Sequence, residues 1–447
     1  MTSVAAEQSA SRGELLRILG VSFGVAIAVG GMIGAGILRA PSLIAGAVPN
    51  AGLILALWAI AAVHARLQAN VLSELGTAVP RAGGFYVYVQ RAFGDVGGLV
   101  VGWSTWLSRL ASTAALSVSF ADFLALLWPA TAGITPVTAV AMQLAVFGLN
   151  MIGLRQGRTF QQVTSLAKAL ALIAFCIAAV FVASKLRATT PVATHAISSI
   201  GWLGLIGAYQ LIVGAYGGWY EPAFFTEEDV TPGKSLPRAI GISLVLTAAL
   251  YIAVNASLLY ALGTQGVART ALPFTAVLSA AGGTLPAIAF AIGAMVTVVS
   301  CANAGIMTAP RILLALSRDK LLPAVFQNVS KGGSPNVGYA LTAAGSIALA
   351  LSGSFGLVFG LIATLGTIAF ILVVASIFVL RRREPELARP YRAKGYPLLP
   401  ALVLVIDLAL LGLFLRADWR GGLYAAVMFA LCIPFAVVAR RAQRAGR

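Results

Sequence analysis

Charged side chains are scarce in this chain. They make up 10% of its 447 residues, against about a quarter in an ordinary soluble domain. Acids are scarcer still, with 14 Asp and Glu against 31 Lys and Arg. Intrinsic disorder is excluded, because it needs low hydrophobicity and high charge. Only two histidines are present, His64 and His195, and they lack the clustering that a metal site needs. The three cysteines, Cys176, Cys301 and Cys432, stand singly inside apolar runs, which argues against a disulfide framework or a zinc centre. No GxxxxGK[ST] loop occurs, so nucleotide drive within this chain is unsupported. No metal or cofactor is expected. An integral-membrane enzyme would need a cluster of catalytic polar groups that the sequence does not offer. A channel or receptor would need a repeated pore motif or a sizeable soluble domain.

What is abundant is apolar surface. Hydrophobic residues make up 59% of the chain and the mean hydropathy is +0.92. A helix crossing ~30 Å of hydrocarbon needs about 20 apolar residues. That window predicts an all-α membrane protein with twelve transmembrane helices. The first six runs are Ile18–Ala47, Gly52–Leu75, Gly98–Leu127, Pro136–Gly153, Val163–Ser184 and Leu203–Phe225. The second six are Ala239–Leu262, Leu285–Leu316, Val337–Leu351, Gly356–Leu380, Leu398–Leu415 and Leu423–Ala439. Run one is longer than a signal-peptide core, so it reads as a retained first helix behind a polar tail, residues 1–17.

The net charge of +17, taken alone, suggests a nucleic-acid partner. Its distribution says otherwise. With an even number of spans and both termini cytoplasmic, 22 of the 31 Lys and Arg fall inside and 6 outside, with Arg66, Arg109 and Lys168 at membrane depth. An excess of cations on one side is orientation information for a bilayer. The expectation is a multi-pass protein of the plasma membrane (the inner membrane if bacterial), partnered by lipid and not by nucleic acid.

Two runs are interrupted near their middle. Run one contains Gly30, Gly31, Gly34 and Gly36 within seven residues; run six contains Gly214, Gly217 and Gly218, then Pro222. Glycine costs a helix roughly 1 kcal/mol per residue against alanine, and proline removes a backbone donor. Each broken run opens a five-helix block, residues 18–185 and 201–380, followed by residues 381–447 with the last two helices. An odd number of spans inverts the second block. Matching interrupted helices in two halves point to a transporter site; the bland alternative is close helix packing through small residues. A broken helix bares N–H groups on one half and C=O groups on the other. The first attract a carboxylate and the second accept from an ammonium, so a zwitterionic amino acid fits both.

These residues resemble the amino acid–polyamine–organocation (APC) superfamily of transporters, over nearly the whole chain. The likeness begins at Gly31-Met32-Ile33-Gly34-Ala35-Gly36-Ile37. It continues through Glu74-Leu75-Gly76, Pro80-Arg81-Ala82-Gly83-Gly84 and Tyr86-Val87-Tyr88. The block Tyr216-Gly217-Gly218-Trp219, Phe225-Thr226-Glu227-Glu228 and Leu236-Pro237-Arg238-Ala239-Ile240 looks most like the L-type amino-acid transporter branch and its bacterial relatives. Asn303 and Arg311 also keep the family's spacing. The resemblance implies the inverted-repeat fold first seen in a leucine transporter, with alternating access. It implies that amides around Ile33, Gly34, Ala35 and Gly36 hold the substrate carboxylate, and that backbone around Ala215, Tyr216 and Gly217 holds the amino group. Relatives often carry a bulky aromatic at the position of Gly214, as a lid. Its absence here suggests a larger substrate, or a lid supplied by Tyr216 or Trp219.

Ionisable residues at membrane depth are functional candidates by default. Lys168 resembles a helix-five lysine of the family that lies near the break in helix one, where sodium-coupled members of the fold place a cation. Burial disfavours a charged ammonium, so Lys168 can load and release protons; alternatively it is a fixed tether, with Ser300 as partner. Glu221 reads as a proton sensor, an attractor of cationic side chains or a structural acceptor. Arg66, Asn70 and Glu74 share a helix face and read as a paired stripe. Arg109 and Asp122 are too far apart on one helix to pair, and Arg109 reads as a local structural group. Asp407 reads as a helix-interface residue. The leading expectation is a secondary active transporter of amino acids, by proton symport or exchange. A polyamine or other organic-amine transporter is the alternative, in which Glu221 gains weight. A non-transporting partner subunit would have the same fold without flux.

Overall fold

Without water to satisfy its backbone, a chain crosses a bilayer as helices or as a closed barrel. In the computed structural model, which describes residues 15–189, 201–270, 272–282, 284–351, 355–417, 422–423 and 426, the chain takes the helical solution. The first helices are α1 (Val21–Met32), α2 (Ala35–Ala47), α3 (Ala51–Ala78), α4 (Phe85–Leu127), α5 (Thr135–Ile152) and α6 (Leu154–Thr189). They are followed by α7 (Trp202–Tyr216), α8 (Pro232–Arg269), α9 (Pro273–Gly282), α10 (Thr284–Arg318), α11 (Asn336–Leu351), α12 (Phe355–Arg383) and α13 (Leu398–Ala417). Among the described residues the β-type pairing is one isolated parallel bridge, Leu19 with Asp229.

Eight of the described helical segments are long and apolar enough to cross a membrane, or nine if α1 and α2 form one bent span. This is a multi-pass membrane architecture. Its polarity is inverted relative to a soluble protein, as α6 illustrates. Val163, Leu166, Leu170, Ile173, Ile177 and Val180 recur at helical spacing on its exposed side. Gln161, Ser165 and Lys168 are buried on the opposite face. Lipid solvates the first stripe, and the interior must satisfy the second.

Several boundaries differ from the sequence expectation. Run three begins thirteen residues early, at Phe85, and passes a non-helical Gly94 (φ 82°). Polar side chains hold this extra length: Tyr86 donates to Asp319 at 2.8 Å and Arg91 to Glu384 at 2.6–3.0 Å. Hydrogen bonding from Arg91 keeps Glu384 below the usual carboxylate range. A short separate helix, α9, precedes α10. Helix ends are chemically marked: Asn50 caps α3 by accepting from the Leu53 amide at 2.8 Å, and prolines stand in the first turns of α5 and α8. Most of run twelve and of the expected N-terminal tail, with His195 and Cys432, lie outside the described residues.

Ion pairs close one end of the bundle, where α1, α4 and α8 begin and α10 ends. Arg81 meets Asp319 at 2.9 Å, Arg318 meets Glu227 at 2.6 Å and Arg311 meets Glu228 at 2.8 Å. The Leu19–Asp229 bridge adds two backbone hydrogen bonds at 3.0 Å across the same end.

Candidate functional site

The first run is carried by two helices that meet at the glycine cluster. α1 ends at Met32, Ile33 is extended (φ −73°, ψ 92°), and Gly34 (φ −135°, ψ −156°) starts α2 without a side-chain cap. The two halves are bent by 41°. Run six breaks in a similar way. α7 stops at Tyr216, Gly217–Tyr220 form turns, and Glu221–Phe225 make a short 3-10 segment.

The two breaks touch. A Cβ on Gly218 would lie 2.4 Å from the Gly31 carbonyl carbon, and Gly218 has φ +114°. Both the close approach and the backbone angle demand glycine there. A Cβ on Gly36 would lie 3.1 Å from Ala215 Cα. The start of α2 and the end of α7 are therefore neighbours. The glycines serve close packing and leave a ligand direct access to backbone, so the two sequence alternatives coexist.

The two ends of the first break are treated differently. The last carbonyls of α1 are all occupied. Lys168 Nζ donates to Gly30 O at 2.7 Å and to Ile33 O at 2.6 Å. Cys301 Sγ donates to Gly31 O at 3.3 Å. The Tyr251 hydroxyl lies 2.6 Å from Met32 O and 3.0 Å from Ala215 O, and its single proton is shared between them. At Gly34, Ala35 and Gly36, by contrast, the first amides of α2 have no carbonyl one turn back. The dipole of α2 favours an anion there. On α7, Gly214 O accepts from the Gly217 amide at 3.0 Å. A carbonyl has two lone pairs, so these oxygens still offer acceptor capacity.

Arg109 and Glu221, separated by 112 residues, form a buried ion pair beside the second break. The guanidinium also sits over the rings of Tyr220 (5.3 Å) and Phe224 (5.5 Å), a cation–π arrangement. Arg109 faces the bundle, and its structural partner there is Glu221. Asp122 instead pairs at the surface with Arg39, at 3.5 Å. Trp219 stacks at 5.4–5.5 Å on Tyr220 and Phe370. Tyr216 is turned into the core: its hydroxyl donates to Trp58 O at 3.2 Å and its ring packs on Trp58 and Tyr251. It is no lid in this conformation. Beside Gly214 there is open space, with nothing within 4 Å of an added Cβ.

Ser300 is not the partner of Lys168. It accepts from Thr164 at 3.0 Å and from Gln161 at 3.4 Å. Asn303 belongs to the same polar chain, donating to Gln161 Oε1 at 2.7 Å and accepting from Asn150 at 2.7 Å. Gln161, Ser165 and Lys168 share one face of α6, and Ser165 ties that face to Ala26 O of α1 at 2.7 Å. The expected Arg66–Asn70–Glu74 stripe also divides. Arg66 is exposed. Glu74 takes Arg381 at 2.6–2.8 Å, and Asn70 accepts from the Lys394 amide at 3.0 Å. Among the described residues no His, Cys, Asp and Glu gather as a metal site.

Sequence reasoning missed Tyr251, Cys301 and Gln161. A lone tyrosine and a lone cysteine inside apolar runs carry little signal. Only their spacing from the broken helix in space reveals their use.

Comparison with known proteins gives the family. A sequence model of the family described as amino acid permease matches residues 19–439. The serine/threonine exchanger SteT of Bacillus subtilis is 24% identical over 413 residues, 90% of this chain and 92% of that one. The branched-chain amino acid permease BcaP of the same organism is 26% identical over 428 residues, 90% of each chain. The large neutral amino acids transporter small subunit 2 of Rattus norvegicus is 26% identical over 425 residues, 88% of this chain and 75% of that one. These relatives are transporters and not enzymes. With its interrupted helices, uncapped amides and near full-length match, the chain belongs to the amino acid permease family.

Proposed function

We propose that this permease carries neutral amino acids without sodium, by alternating access, through proton symport or amino-acid exchange. The observation that carries this reading is the Lys168 ammonium on Gly30 O and Ile33 O. It fills the carbonyl end of the first break with a fixed cation and leaves the α2 amide end for the substrate carboxylate. Ile33, Gly34, Ala35 and Gly36 take that carboxylate. Carbonyls around Ala215, Tyr216 and Gly217 take the amino group. Gly214 leaves room for the side chain.

The Arg109–Glu221 pair favours an uncharged side chain. Arg109 binds Glu221 Oε1 and offsets its charge, which makes this carboxylate a poorer anchor for a polyamine even with Oε2 unpartnered. The relatives named above act on serine and threonine, branched-chain or large neutral amino acids by their descriptions, which supports the same class. Twelve spans in a five-plus-five inverted repeat, with both termini cytoplasmic, complete the reading. In that orientation the ion-paired end of the bundle is the cytoplasmic one, closed in this conformation.

The test is uptake of labelled leucine, serine, arginine and putrescine into proteoliposomes, with and without internal amino acid and an imposed pH gradient. Leucine or serine uptake independent of sodium, driven by internal substrate or by the gradient, is expected. Lys168→Ala should lower it at least about tenfold, since hydrogen bonds to a charged group are worth about 1.5–3 kcal/mol each. Sodium-dependent uptake, preference for putrescine, or a Lys168→Ala variant with normal rate and pH dependence would overturn the proposal.

A further inference from the structure

Away from the substrate site, three helices meet on a second set of buried ionisable groups. His64 lies midway along α3, Asp407 midway along α13 and Tyr209 midway along α7. His64 Nε2 is 2.9 Å from Asp407 Oδ1, and the two side chains are 6% and 2% exposed. Gln68, one turn on from His64, donates to both carboxylate oxygens at 2.9 and 3.2 Å. The other imidazole nitrogen, Nδ1, lies 3.4 Å from the Tyr209 hydroxyl.

The chemistry of this trio turns on one proton. With neutral imidazole, Nε2–H donates to the carboxylate and Nδ1 accepts from Tyr209, and the cluster holds one net negative charge at membrane depth. With imidazolium, both nitrogens donate, the Tyr209 hydroxyl turns to accept, and the net charge is zero. An uncompensated charge in hydrocarbon is expensive; an imidazolium against a carboxylate is a compensated pair. Packing alone would be served by an amide or hydroxyl pair, which are the usual polar contacts between membrane helices. Here both partners are ionisable side chains.

Among the described residues the surroundings supply no other compensating charge. Among the described residues, no Lys, Arg or Glu makes a hydrogen bond or ion pair to His64, Asp407 or Tyr209. From α8, Tyr251 faces Trp58, and α12 sends Arg381 to Glu74, away from the trio. Arg66 on α3 is exposed. The trio also reaches the substrate site through α7. That helix runs on from Tyr209 to Ala215 and Tyr216, where it touches the start of α2.

We propose that His64 and Asp407 form a proton-binding site between α3, α7 and α13. One proton on the imidazole stabilises α7 docked against α3 and α13. Loss of that proton to water leaves a lone buried carboxylate and favours movement of α7. The site is separate from Lys168 and from the broken helices, and the proposal stands whether transport proves to be symport or exchange.

The chain has only two histidines, so the site can be watched directly. In a His195→Gln background with a histidine-free tag, ring-labelled histidine gives one imidazole signal by NMR. That signal is expected to change position with pH as the site gains and loses its proton. Asp407→Asn should change that pH response, since a neighbouring carboxylate favours the charged imidazolium. Saturating substrate, by holding α7, should change it as well. Tyr209→Phe keeps the ion pair and should change it less than Asp407→Asn. In proteoliposomes, His64→Gln should alter the pH profile of uptake and leave the part that depends on Lys168. A signal indifferent to pH, a pH response unchanged by both Asp407→Asn and substrate, or a His64→Gln profile matching wild type would overturn the site. If His64→Gln fails to fold, the NMR titration and the Tyr209→Phe profile decide alone.

Discussion

Gly218 shows how much one missing methyl group can set. Its φ of +114° and the 2.4 Å that would separate a Cβ from the Gly31 carbonyl carbon leave no rotamer that relieves the clash, because the obstructing atoms are backbone. Gly218→Ala should therefore separate the two breaks. Uptake is expected to fall at least about tenfold, with a lower Tm of the purified protein, as overpacking and backbone strain each cost about 1–3 kcal/mol. Radiolabelled uptake and a thermal melt check both. The glycine-rich clusters were visible in the sequence, and counting spans paired them as expected helix breaks; which glycine meets which was not visible. Contact between residues 31 and 218 is a property of the folded chain. Lys168 was legible as an outlier in an apolar run, but its acceptors were not. Ser300 was the wrong expectation because serine on α10 had nearer donors in Thr164 and Gln161.

At the scale of elements, buried polar groups decide how helices are held. α4 reaches the second break through Arg109, and the Arg109–Glu221 pair is the tie. Removing one member of a buried pair strands the other charge, at about 3–5 kcal/mol. Arg109→Met and Glu221→Gln should each destabilise strongly, while the double substitution should cost clearly less than the sum of the two. A double-mutant cycle on unfolding in detergent measures that coupling; additivity would show the two groups to be energetically independent. α6 makes a comparable tie to α1 through Ser165 and Lys168. Its apolar outward and polar inward faces emerged only in the fold, where residues 161–180 divide between lipid and interior. Nor could the end of α7 be read from the sequence, since Tyr216 continues an apolar run and only the turn at Gly217–Tyr220 stops the helix.

Across the whole molecule, one end is closed by ion pairs while the broken helices sit within the bundle. Arg81–Asp319 and Arg318–Glu227 are partly exposed, so each contributes modestly, up to about 1 kcal/mol. Glu227→Gln with Asp319→Asn should shift the protein toward a state open at this end. In a Cys176→Ser/Cys432→Ser background, Cys301 beside the first break should react with a maleimide supplied to that face about fivefold faster, the factor that ~1 kcal/mol of lost closure gives. An unchanged alkylation rate would mean that these pairs do not hold the end shut. The residues involved are the same cations that set orientation in the sequence, now seen with their acids.

The sequence by itself determined that this chain lives in a bilayer, that its spans are helical, and that two of its runs cannot stay helical throughout. Those facts follow from local chemistry: apolar length, backbone satisfaction and the poor helix propensity of glycine. Only the tertiary structure decided which buried charges meet. Arg109 with Glu221, Lys168 with the α1 carbonyls, and His64 with Asp407 join residues 112 to 343 positions apart. In hydrocarbon a charge must find its partner wherever the fold brings one, and that search is resolved in space, not along the chain.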